Sequence, residues 1–337
     1  MNSARRTLDA DNPAMAPRIV AATRTGISLA GEQSDWSATE VLTGHDVRSL
    51  AADPARPQRL YAGTQGDGVF VSEDGGSGWT SAGLTGEIVK ALAVDRNSNV
   101  LAATKPPALF ASEDGGASWT ELPALRRMRR WYWWQPAERP HTSYVTAIAV
   151  SPTQPETLLV GIEAQRILYS EDGGQSWTRT RKGTALDAHA LAFHAVDGDR
   201  AYEGAGLGVA TSSDGGRTWT RANAGLAARY VMTIAVDPAD PDLWYVGAAR
   251  MRTAHTANSH ARILRRHGAT WTLLTGGLPS ELEHLPHALV CPAPNVVYAG
   301  LRDGAVWRSL DRGDAWSRLP VDFHGLRALL VVDELTS

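Results

Sequence analysis

The chain of 337 residues is 43% apolar and 20% charged, a globular balance, and its mean hydropathy of −0.24 excludes a membrane-embedded protein. Thirty-three Lys and Arg against 36 Asp and Glu leave a net charge of −3, which excludes attachment to nucleic acid by bulk charge. A single cysteine, Cys291, excludes an internal disulfide framework and a cysteine-based zinc site.

Residues 1–16 contain Arg5 and Arg6 but no following apolar run, so they read as a flexible segment without secretion signal or anchor, and the expected location is the cytoplasm. Residues 17–334 are expected to form one domain. Short β-branched and small apolar runs bounded by Pro, Gly and Asp follow one another, as in Val145–Val150, Leu158–Gly161 and Ile167–Tyr169, and no long helical stripe interrupts them. Each group of runs ends at the string S-x-D-x-G-x-x-W. The string is complete at Ser72 to Trp79, Ser112 to Trp119, Ser170 to Trp177, Ser212 to Trp219 and Ser309 to Trp316, and worn copies end at Trp36 and Trp271. The seven tryptophans are 43, 40, 58, 42, 52 and 45 residues apart, the period of a four-stranded propeller blade with two stretched copies. This predicts an all-β fold, a seven-bladed propeller. The string itself predicts a tight turn, with Ser and Asp bonding backbone N–H groups, glycines taking positive φ and the Trp packing inward. Blade 1 begins at Arg18–Thr23 without an innermost strand. Leu326–Val332 matches innermost strands such as Val47–Ala52, so it is expected to complete blade 1 and close the ring.

Function is expected where the inner strands begin around the channel mouth. Alignment of those strands gives a mouth row of Arg48, Lys90, Thr146, His189, Met232, His287 and Arg327, with His45, Glu87, Ser143, Leu186, Arg229, His284 and His324 three residues earlier. The second strands end at Arg24, Gln65, Lys105, Glu163 and Arg302. Three readings compete. His45, Glu87, His284 and His324 have the chemistry to hold one divalent transition metal, Zn, Fe, Mn or Cu. Alternatively, Arg24, Arg48, Lys90, Arg302 and Arg327 grip a small polar or anionic ligand, with His189, His287 and Glu163 as acid–base groups. In the third reading these side chains only line a water-filled channel. Two insertions, at about 126–141 and 248–262, stretch the repeat. The first carries four arginines before Trp131, Tyr132, Trp133 and Trp134, rings that either wall the site as a lid or pack as the loop's own small core. The second is polar, with His255 and His260, while His194 and His267 are placed in surface turns.

The S-x-D-x-G-x-x-W string resembles the Asp-box, or BNR repeat, of sialidases, sortilin-type receptors, xyloglucanases and photosystem II assembly factors, and the resemblance covers residues 17–332. It implies a β-propeller with its boxes on the blade periphery, away from the ligand face. The sialidase pattern implies six blades, an Arg-Ile-Pro motif, an arginine triad and a Tyr/Glu pair; here Arg18 is followed by Ile-Val, seven blades are expected, and only Arg24, Arg302 and Arg327 imitate the triad. The assembly-factor group is similar in blade number and implies a protein partner on an arginine-rich surface. The functional expectation is therefore a ligand-binding or catalytic propeller, a hydrolase or metal-dependent enzyme if catalytic. Its rivals are a non-enzymatic scaffold for a protein partner and a sialidase-type glycoside hydrolase.

Overall fold

Seven four-stranded antiparallel sheets stand side by side around a channel in the computed structural model, which describes residues 16–131, 143–180, 182–251, 253, 254, 256 and 258–333. The inner strands of blades 2 to 7 are Val47–Asp53, Ile88–Val94, Val145–Val150, Ala188–Phe193, Tyr230–Val236 and Pro286–Ala293. Blade 1 takes its inner strand, Ala328–Asp333, from the far end of the chain, paired antiparallel with Pro17–Ala22. That strand also contacts the inner strands of blades 7 and 2, so the ring has no open edge.

The sequence dictates this layering. Second strands such as Leu158–Ile162 and Leu243–Ala249 are buried along their whole length between neighbouring blades, which is why they read as continuous apolar runs. The inner strand Val47–Asp53 alternates buried with half-buried residues, because one face meets the channel. Close approach between blades depends on glycine. A Cβ at Gly63 would lie 2.6 Å from Val89 of the next inner strand, and one at Gly204 would lie 2.8 Å from Val231.

The predicted turn is built the same way in all five complete strings. The serine Oγ donates to the aspartate Oδ1 at 2.7–2.8 Å and accepts the N–H of the glycine four residues on at 2.7–2.9 Å. Ser118 donates its hydroxyl and N–H to Asp114, and with Ser112 these bonds hold that exposed carboxyl down to about 2.

Two expectations need correction. The Arg/Trp insertion is not irregular throughout, because it opens with a helix, Pro123–Trp131, whose fully buried Leu125 packs in one cluster with Val145 and Ile162. His194 is not a surface residue: it is 2% exposed, and neither ring nitrogen has a protein hydrogen-bond partner. It stands at the end of its inner strand, where Asp53, Asp95 and Asp237 close the equivalent turns of other blades through backbone N–H bonds.

Candidate functional site

The mouth row is set by a backbone irregularity repeated around the ring. In blades 2 to 7 the pairing of inner with second strand slips near the start of the inner strand, at Arg48, Lys90, Thr146, His189, Met232 or His287. A bulge leaves its residue out of the ladder and re-aims the side chain. All six line a cavity of about 330 Å³ on the axis, together with the start of the blade 1 strand at Ala328 and Leu329. That volume suits a small ligand.

The row is electrically divided. On blades 1, 2 and 3, Arg327, Arg48 and Lys90 are all half-buried. Arg48 bonds Asp46 at 2.8 Å and Arg327 reaches the same Oδ2 at 3.5 Å, so two guanidinium groups share one carboxylate oxygen. The Nε atoms of both arginines, and Asp46 Oδ1, are buried without a protein hydrogen-bond partner. Lys90 Nζ lies 4.5 Å above the Tyr144 ring and Lys105 Nζ 5.2 Å from the same centroid. Burial, then the charges of Arg48, Arg327 and Lys105, bring the Lys90 ammonium down to about 8, opposed by Glu163 at the mouth end of blade 4. Burial, Arg48, Arg24 and Arg302 lower Arg327 as well, with Asp46 acting in the opposite direction. His287 donates from Nδ1 to the Leu326 carbonyl at 3.1 Å, and burial, then Arg302, Arg327 and Arg24, hold it down to about 4, so the ring is neutral at pH 7. Arg24 and Arg302 are themselves exposed, on the rim. A Cβ at Gly325, which has φ +75°, would come within 3.2 Å of the Arg24 side chain, so this glycine leaves room for it.

The other half of the row carries no such charge. Thr146 and Met232 are neutral, and His189 is held at both nitrogens, by the Val231 carbonyl at 2.8 Å and Asp187 at 3.1 Å, with its ring 4.8 Å from Tyr230.

The row three residues earlier does not converge. His45 pairs with Asp67 at 2.9 Å and packs on Phe70, and His324 is exposed. Glu87 and His284 are half-buried, and among the described residues no three of His, Cys, Asp and Glu are grouped to hold a metal ion, so the four ligands expected from sequence are not brought together. The residues that do matter, and that the alignment passed over, lie two before the mouth row: Asp46, Tyr144, Asp187 and Tyr230 each touch a mouth residue of their own or the neighbouring blade. Of the aromatic lid, Trp131 ends the helix, while Tyr132, Trp133 and Trp134 lie outside the described residues, as does His255. The second insertion is tied to blade 7 by Ser259 N–H on the Glu283 carbonyl at 2.7 Å and by His260 and Arg262 on Glu281 at 2.6 and 2.7 Å.

Solved structures similar to this chain carry the same fold. An ancestral GH74 enzyme matches with a TM-score of 0.62 at 19% identity, over 80% of this chain; the chain spans only 38% of that enzyme's length. The GH74 enzyme of Niastella koreensis matches with a TM-score of 0.60 at 14% identity, over 92% of this chain and 66% of its own. YCF48 bound to D1 peptide matches with a TM-score of 0.59 at 13% identity, over 98% of this chain and 100% of its own. A comparison with curated proteins gives no match. Residues 19–258 match the DUF6242 beta propeller domain, and with most of its length inside that match the chain belongs to this family of propellers.

Proposed function

We propose that the protein is a binding propeller whose channel mouth captures a small anion, a carboxylate or phosphate, against Arg48, Lys90 and Arg327, with Arg24 and Arg302 on the rim. The observation that carries this reading is the crowding of Arg48 and Arg327 on the one Asp46 oxygen, with unsatisfied N–H groups on both arginines and the Lys90 ammonium close enough to be disfavoured by both. Like charges pressed together in a cavity disfavour one another, and an anion placed among them relieves that repulsion while filling the open donors. Guanidinium groups suit this because their planar forks match carboxylate and phosphate oxygens.

The neighbours are compatible with either a small ligand or a peptide as the source of the anion. GH74 proteins are enzymes, and YCF48, matched along its full length, is bound to a peptide. Calorimetric titration of the full chain with oxalate, inorganic phosphate and a short peptide ending in a free carboxylate tests the reading and separates the sources. One-site binding of at least one of them, weakened by salt and lost in the Arg48→Ala/Arg327→Ala variant, is expected. No binding of any, or equal binding by the double variant, overturns it.

A further inference from the structure

Of the 33 Lys and Arg residues in this chain only three are lysines, Lys90, Lys105 and Lys182. Two of the three stand on one tyrosine ring at the channel mouth. For charge alone an arginine serves as well or better, and the chain uses arginine almost everywhere else. What a lysine adds is a proton it can give up, leaving a nucleophilic lone pair; a guanidinium cannot do this near neutral pH. Lys90 sits on a bulge that turns it into the cavity, with Arg48, Arg327 and Lys105 acting on its charge, Tyr144 beneath it and Glu163 opposing them. Desolvation beside other cations is a recognised way to make a lysine amine reactive.

We propose that Lys90 condenses with the carbonyl carbon of a small 2-oxo carboxylate whose carboxylate is held by Arg48 and Arg327. This rests on the anion-binding reading above and names the ligand class for it. The neutral amine adds its lone pair to the carbonyl carbon, and the C=O π pair moves to oxygen, which takes up a proton. The nitrogen loses a proton, the hydroxyl is protonated and leaves as water, and the nitrogen lone pair closes the C=N bond as an iminium, which releases its remaining N–H proton to give the imine. One amine and one carbonyl give one imine and one water, with no oxidant or reductant consumed. With the ammonium lowered to about 8, roughly a tenth of Lys90 is neutral at pH 7, against a far smaller share for an exposed lysine.

The full chain is incubated at pH 7 with glyoxylate and sodium cyanoborohydride, which reduces the imine to a stable secondary amine, and adducts at the three lysines are quantified by peptide mass spectrometry. Lys90 should be modified at least tenfold faster than the exposed Lys182, and oxalate should slow Lys90 without affecting Lys182. Lys90→Arg, which keeps the charge but cannot give up its proton, should lose the fast adduct. Arg327→Met should slow modification of Lys90 alone. Modification of Lys90 no faster than that of Lys182, preference for Lys105, or fast modification that oxalate does not slow each overturns the proposal. If oxalate binds by calorimetry while Lys90 stays inert, the condensation is refuted and the anion site stands.

Discussion

The peripheral turns and the mouth row occupy equivalent positions in successive blades, yet they differ in what repetition has done to them. Five serine–aspartate turns agree to within 0.1 Å in their central hydrogen bond, and the role of each residue is complete within eight residues of sequence. The mouth row keeps its bulge and changes its side chain in almost every blade: Arg, Lys, Thr, His, Met and His. A position that repeats unchanged serves the blade. One that varies on a repeated backbone device is not held to the blade's own needs, and here the variation sorts charge to blades 1, 2 and 3 and neutrality to blades 4 and 6.

The comparison breaks most completely if the ring itself is opened. Deleting the residues after Gly325 removes Leu326 and the whole inner strand of blade 1, leaving Pro17–Ala22 with an unpaired edge. Loss of cooperative unfolding, or aggregation, is expected in a thermal melt; a truncated chain that melts like the intact one contradicts the closure.

Glu203 sharpens the comparison, because it is a variation inside the architecture. The residues facing the inner strand at its position in other blades are Ala62, Ala102, Val160, Val246 and Ala299. Glu203 is fully buried, with Oε2 accepting the Ala185 N–H at 2.7 Å and Oε1 lacking a protein partner. Burial raises its carboxyl from 4.5 to about 8, against the Ala185 bond and the charges of Arg221 and Arg166. Because the folded value lies above the unfolded one, the protonated group's stabilisation is complete below pH 4.5 and is lost as pH rises to about 8. At about 1.4 kcal/mol per pKa unit, Glu203→Gln should melt roughly 7–10 °C higher than wild type at pH 9 and flatten the decline between pH 5 and 8. A wild-type Tm independent of pH across that interval counts against a protonated Glu203.

At the mouth the expected change has the opposite character. Arg327 is disfavoured as a charge by burial and by Arg48, so Arg327→Met should leave the Tm unchanged or raise it by a degree or two while weakening oxalate. The loss of a charged hydrogen bond is worth about 1.5–3 kcal/mol, which is roughly tenfold to a hundredfold in Kd. Calorimetry and a melt on the same sample decide it: a large drop in Tm with unchanged affinity reassigns Arg327 to the framework.

The fold was legible because its signals are local. The strings mark the outer turns, the strand runs mark the blades, and the missing first strand is matched by Leu326–Val332. The mouth row was legible by the same alignment, although the bulge that aims it has no residue signature of its own. What was not legible is direction. At the row of His45, Glu87, His284 and His324 the sequence gives residue type and spacing but not where a side chain turns, and His45 turns to Asp67 of its own blade. Asp46, Tyr144, Asp187 and Tyr230 were visible in the alignment two residues before the mouth row. Their roles depend on contacts across blades that no single blade spells out. Glu203 and His194 were visible too, as a carboxylate in a row of Ala and Val and an imidazole in a row dominated by Asp.

The smallest expected effect is also the cleanest control on the whole comparison. Ser170 is 2% exposed, donates to Asp172 at 2.8 Å and accepts the Gly174 N–H at 2.9 Å. Ser170→Ala strands that buried N–H and removes one carboxylate bond, at about 1 kcal/mol, so the Tm should fall by about 2 °C. Ser112→Ala should cost the same, because Ser112 Oγ makes its bonds at 2.7 Å in matching geometry. Neither should alter oxalate affinity, since both turns lie at the outer ends of their blades while the proposed anion site lies at the inner-strand entries. Equal small losses of stability with unchanged binding are what a repeated framework gives. If either serine variant weakens oxalate as Arg327→Met does, the periphery communicates with the mouth and the division between repeated architecture and varied site fails.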